Sequence, residues 1–244
     1  MIVASGERRG STPLRARDVG FVACGAFICF VALAAIVWHA PGPVGPDGAI
    51  TRVASGVPRA MLLPFTEWEA LAVVVAATAA LLALGAMRRD WFLIALSALA
   101  PLTAGLLCEV VAKPLIDRWK GTSPAFPSGH ATLAAALATL VVIAYLCGRL
   151  QWPSVAFAAA FAAVVSSAVV LTGSHYLTDA IGGAALGVAS VCGMAAALAV
   201  VGLGHERRAR SARTNRFVGR SGRTPRFAAP RPSTPPHAPK DSVL

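Results

Sequence analysis

Two short polar stretches interrupt an otherwise apolar sequence, and both carry residue types that do chemistry. The first is Pro127-Ser128-Gly129-His130, immediately ahead of a long apolar run. A helix starting here presents unsatisfied backbone N–H groups and a partial positive charge, which together suit an anion. Ser128 adds a hydroxyl, Gly129 lets an oxyanion approach the backbone closely, and His130 in the first turn can protonate a leaving oxygen. The second stretch ends in His175 and Asp179, four residues apart and therefore on one face of a helix. A carboxylate one turn away can bond one ring nitrogen of His175, fix the tautomer and leave the other nitrogen nucleophilic.

Cations lie close by in the sequence. Lys113 stands at the end of an apolar run with Glu109 one turn earlier, and Arg118 and Lys120 follow in the same loop. Cations and N–H groups for phosphoryl oxygens, a nucleophile and an acid for the leaving group form the inventory of phosphoryl transfer. Two histidines and few carboxylates are poor material for a two-metal centre, so no metal and no other cofactor is expected. Each fragment also has a plain structural reading. Ser128 is a helix cap, His175 and Asp179 form a local pair at a helix start, and Lys113 is a snorkelling residue at a membrane interface.

The elements that must position these residues follow from composition. The chain has 244 residues, of which 56% are hydrophobic and only 14% charged, about half the roughly 25% charged residues of soluble domains. Mean hydropathy is +0.66. That apolar content excludes a wholly disordered chain, and 5 scattered cysteines do not make a disulfide scaffold. The expected class is an all-α integral membrane protein: a six-helix transmembrane bundle with spans at 20–38, 69–87, 91–111, 131–148, 152–173 and 180–202. Pro101 is expected to kink the third span, whereas Pro153 sits at the tolerated start of the fifth. The first span is longer than the apolar core of a secretory signal and is read as a retained anchor.

Charge placement gives the orientation. The net charge is +11, and 10 of the 22 Lys and Arg residues fall after position 204. Arg8, Arg9, Arg15, Arg17, Arg88, Arg89, Arg149 and that tail share one side of a six-span chain, the side expected to be cytoplasmic. Both motif loops then face outward across a cell (plasma) membrane. Segment 1–19 is expected to be a cytoplasmic lead, 20–203 the membrane domain, and 204–244 a disordered basic cytoplasmic tail drawn to anionic headgroups. Because so much of the excess charge belongs to the tail, no nucleic-acid partner is expected. The expected partners are membrane lipids and a lipid phosphate substrate, and oligomeric state is left open.

Together the fragments resemble the type 2 phosphatidic acid phosphatase superfamily, whose motifs read K-x6-R-P, P-S-G-H and S-R-x5-H-x3-D. Pro127–His130 matches the second in full, His175-x3-Asp179 the end of the third, and Lys113 the start of the first. The resemblance implies that His175 attacks phosphorus, Asp179 orients it and His130 protonates the leaving group. It further implies that Lys113, Ser128 and the Gly129 N–H hold the phosphoryl oxygens. Two departures stand out. Lys120-Gly121 replaces Arg-Pro, and Ala168-Val169 replaces Ser-Arg, so Arg118 and Lys120 are expected to carry the missing charge. The implied activity is metal-independent hydrolysis of a lipid phosphomonoester or pyrophosphate. The alternative is a catalytically degenerate, lipid-binding member of the same fold, and a transporter or channel is a further reading.

Overall fold

A computed structural model describes residues 16–66 and 68–221, with side chains as far as 202 apart from residue 68. The chain divides into two units, Met1–Gly202 and Leu203–Leu244. The first unit carries α1 (Ala16–Val37), α2 (Asp47–Ala54), α3 (Trp68–Arg88) and α4 (Trp91–Leu106). A π-helical turn, Leu107–Ala112, joins α4 to the short α5 (Lys113–Ile116). A two-residue hairpin, β1 (Trp119–Lys120) against β2 (Ser123–Pro124), leads into α6 (Gly129–Leu146), followed by α7 (Trp152–Leu171) and α8 (Leu177–Ser221).

Among the described residues, six segments are long and apolar enough to cross a membrane: Ala16–Val37, Glu69–Arg88, Trp91–Ile116, Gly129–Leu146, Trp152–Leu171 and Leu177–Gly202. They correspond one for one to the six expected spans, with ends displaced by a few residues. The third runs unbroken through Pro101 and leaves α-geometry only at 107–112. Backbone in the second unit is helical as far as Ser221, where disorder was expected from 204. The rest of that expected tail, 222–244, and most of the expected lead, 1–15, lie outside the described residues.

Local chemistry sets the helix ends. Asp90 caps α4 by accepting from the Leu93 N–H at 3.1 Å. Extended Ser128 caps α6, and Pro153 occupies the first turn of α7. Asp90 also pairs with Arg149, and Arg88 donates to the Arg149 carbonyl, tying the α3–α4 turn to the α6–α7 turn at one end of the bundle. Burial holds the Asp90 carboxyl up in pKa, but the Arg149 guanidinium outweighs this and leaves it below its ordinary value.

Helix α6 is the core of the bundle and the most buried of the six spans. Small residues allow its close neighbours. A Cβ on Gly187 of α8 would lie 2.3 Å from the Thr132 carbonyl oxygen, and one on Gly183 would lie 2.5 Å from that of Ser128. These glycines, four residues apart, let α8 lie against the first turns of α6 with backbone nearly touching backbone, as small-residue pairs do between membrane helices. The histidine-bearing ends of both helices are thereby brought together. Phe126 completes this packing: it lies under Gly182 and stacks on Phe30 of α1 with centroids 5.8 Å apart.

Candidate active site

The loops at the end of the bundle opposite Asp90 and Arg149 enclose one cavity of about 600 Å³. Lys113, Lys120, Gly129, His130 and His175 all line it, with Glu109, Ser123, Gly173 and Ser174 beside them. Five of the eight residues singled out from sequence thus share one cavity, although Lys113 and His175 stand 62 residues apart in the chain. Its other wall is apolar and belongs to the spans, with Ala70, Leu71 and Val74 from α3, Leu133 from α6, and Phe161 and Val165 from α7.

His175 is held by a partner the sequence did not reveal. Its Nδ1 lies 2.8 Å from the Ala125 carbonyl oxygen. A carbonyl can only accept, so Nδ1 carries the proton, and in the neutral ring Nε2 keeps its lone pair. Asp179, expected to bond this ring directly, has its Oδ2 3.8 Å from Nδ1, beyond hydrogen-bond reach. That oxygen instead accepts from the Tyr176 N–H at 2.8 Å, and the Asp179 carbonyl accepts from the Ser128 N–H at 3.0 Å. Asp179 therefore orients the loop that carries His175 and ties it to the start of α6.

The placement of Arg118 differs most from expectation. Its side chain is fully buried and does not line the cavity. One terminal nitrogen donates to Asp179 Oδ1 at 2.6 Å and Thr178 Oγ1 at 2.7 Å; the other donates to Asp47 Oδ2 at 2.9 Å and the Gly42 carbonyl at 3.0 Å. Asp47, buried at the start of α2, also accepts from the Thr178 N–H and Oγ1. Burial raises the pKa of the Asp47 carboxyl, but the Arg118 and Thr178 hydrogen bonds outweigh it and leave the group below its ordinary value. Arg118 is thus a strut between the loop that carries Asp47 and the start of α8, because two buried carboxylates claim its fork. Ser128 likewise stays out of the cavity: it is buried, and its Oγ is the acceptor that caps α6.

The two lysines do reach the cavity. Lys113 Nζ contacts both oxygens of Glu109, at 2.8 and 2.7 Å, the pairing expected from their spacing. A Cβ on Gly129 would sit 2.5 Å from Glu109 Oε1, so this ion pair lies directly over the first residue of α6. Lys120 Nζ donates to the His175 carbonyl at 3.1 Å and rests 4.1 Å from the Tyr176 ring centroid. Burial lowers the pKa of the Lys120 ammonium below the ordinary lysine value, against the pull of Asp179 and Asp47 and assisted by Arg118 and Arg59. Among the described residues, no group of three or more His, Cys, Asp and Glu side chains is placed to hold a metal ion.

Residues 110–201 match the family model of the PAP2 superfamily. Over this segment the chain is similar to the PAP2 superfamily. The match contains Lys113, the P-S-G-H tetrapeptide, His175 and Asp179, and it ends within the sixth span. This similarity supports a membrane phosphatase activity in general terms. The solved structure of a transmembrane PAP2-type phosphatidylglycerolphosphate phosphatase from Bacillus subtilis has the same fold. It superposes with a TM-score of 0.56 over 76% of this chain and 97% of its own, with 22% identical residues. No curated protein gives a significant match to the sequence.

The residues missed by sequence reasoning are Asp47, Thr178, Tyr176 and the carbonyls of Gly42 and Ala125. Only Asp47 left a signal, as an isolated acid in a Pro- and Gly-rich loop.

Proposed function

We propose that the protein hydrolyses a lipid phosphate at the outer face of a cell membrane through a phosphohistidine at His175, without a metal. The observation that carries this reading is the cavity itself. Two lysines, two histidines and the start of α6 line its polar side, while apolar spans line the other. A phosphate headgroup fits the first wall and a hydrocarbon chain the second, whereas a soluble phosphate has no use for the second.

In the first step the Nε2 lone pair of His175 attacks phosphorus. The P–O bond to the lipid breaks, and its electron pair leaves on oxygen, which takes a proton from the His130 imidazolium. Lys113, Lys120 and the N–H groups opening α6 stabilise charge on the equatorial oxygens. In the second step His130 removes a proton from water, the water oxygen attacks phosphorus, and the P–N pair returns to Nε2 as inorganic phosphate departs. The Ala125 carbonyl keeps Nδ1 protonated throughout, and Asp179 orients the His175 loop without touching the ring.

Outward orientation rests on the arginines at the opposite end, Arg88, Arg89 and Arg149, which mark a cytoplasmic side. Candidate substrates are polyprenyl (pyro)phosphate, phosphatidic acid and phosphatidylglycerol phosphate, the last also named for the Bacillus subtilis neighbour. A panel of these lipids with the purified protein tests the reading. Phosphate release from at least one, unaffected by EDTA and abolished by His175→Ala, is the expected result. Release that disappears with chelator and returns with Mg²⁺ contradicts the metal-independent mechanism. Binding without turnover across the panel favours a degenerate, lipid-binding protein.

A further inference from the structure

Family members carry an arginine six residues before the nucleophilic histidine, and here that position is Val169. Val169 is fully buried in an apolar cluster with Ala131, Val170 and Ala180, so α7 sends no cation into the cavity. Arg118, the other arginine near the motifs, is consumed by Asp47 and Asp179. Of the two lysines in the cavity, Lys113 is held by Glu109. Among the described residues, the cavity walls therefore contain no guanidinium.

One stands at the rim. Arg59 begins a single 3₁₀ turn, Arg59–Met61, in the outer loop between α2 and α3. A Cβ on Gly173 would lie 3.4 Å from Arg59 Nη2. Gly173 lines the cavity two residues before His175, has φ +76° and has no side chain to block access across it. The Arg59 side chain is exposed, and no carboxylate among the described residues pairs with it. Its charge is felt inside the site, because it contributes to lowering the pKa of Lys120.

The geometry points to Arg59 as the phosphate-binding guanidinium of this site, supplied from the outer loop in place of the arginine absent at 169. It holds phosphoryl oxygens of the substrate across Gly173, with the forked geometry that neither lysine offers. This inference rests on the phosphatase reading for its substrate but not for its anion, since any phosphate in the cavity meets the same group.

The test uses the full-length protein in detergent with lipid phosphate in mixed micelles, and inorganic phosphate as competitor. Arg59→Ala should lower kcat/KM and weaken inhibition by phosphate about tenfold each, with an unchanged unfolding temperature. Arg59→Lys should recover part of both losses. Arg52→Ala, which removes a neighbouring exposed outer cation, should behave as wild type. Wild-type values for Arg59→Ala overturn the inference, as do equal losses in Arg52→Ala, which indicate general surface charge. If no lipid is turned over, the rise in unfolding temperature with inorganic phosphate still reads the site. Its loss in Arg59→Ala supports the cradle while the phosphatase reading fails, and no rise in the wild type overturns both.

Discussion

Replacing Arg118 separates a strut from a substrate contact. Its guanidinium is fully buried and makes ion pairs of 2.6 Å to Asp179 and 2.9 Å to Asp47. Arg118→Ala leaves both carboxylates buried without their cation, and breaking a buried pair on one side costs about 3–5 kcal/mol. For a domain of this size each kcal/mol lowers the unfolding temperature by about 2–4 °C, so a fall of about 6–20 °C is expected. The assay is thermal unfolding of the detergent-purified protein, with Lys120→Ala alongside. Lys120 lines the cavity, so its loss should lower kcat/KM by at least about tenfold while the unfolding temperature moves little. Pairing Arg118→Leu with Asp47→Leu should cost less stability than the sum of the single changes, because each partner is then relieved of an unpaired neighbour. An Arg118→Ala protein with wild-type unfolding and collapsed kcat/KM refutes the strut. It would mean that this guanidinium holds phosphate, as its place in the sequence first suggested.

Other outcomes follow from the same contacts. Gly187→Ala should separate α8 from α6, because its Cβ would lie 2.3 Å from the Thr132 carbonyl; a lower unfolding temperature and reduced activity are expected together. Glu109→Gln removes the anion now held by Lys113, so the inhibition constant of inorganic phosphate should fall by about fivefold, matching roughly 1 kcal/mol for one screened charge at about 4 Å. The lowered pKa of Asp47 in the folded protein means that its carboxylate contributes stability above the ordinary carboxylate range, and this is lost as pH falls through the lowered value. The stability difference between wild type and Asp47→Asn, read by unfolding across a pH series, should therefore be full near neutrality and shrink towards pH 3.

Much of this architecture is legible in the sequence for simple reasons. Runs of about twenty apolar residues have few alternatives to spanning a bilayer, and arginines at Arg88, Arg89 and Arg149 mark one end. The tetrapeptide ending in His130 and the His175–Asp179 spacing located the two histidines of the cavity. What the sequence did not reveal are partners of a kind it does not mark. The Ala125 carbonyl that fixes the His175 tautomer belongs to a residue with no chemistry in its side chain. Asp47 lies 71 residues from Arg118, in a loop whose composition says only that it turns. Arg118 illustrates the limit most clearly. Its spacing from Lys113 suggested a phosphate contact, but residue type and spacing do not tell whether an arginine faces solvent or two buried acids. Arg59 was invisible for the opposite reason: it lies outside every motif and matters only through the loop that brings it to Gly173.

The central claim is that His175 carries the phosphoryl group. Rapid acid-free quenching of the enzyme with a phosphorylated lipid, followed by mass spectrometry of its peptides, addresses this directly. The account predicts a phosphoryl group of acid-labile, base-stable character on the peptide containing His175, absent from His175→Ala. Phosphorylation of any other residue, or undiminished phosphate release by His175→Ala, would contradict it.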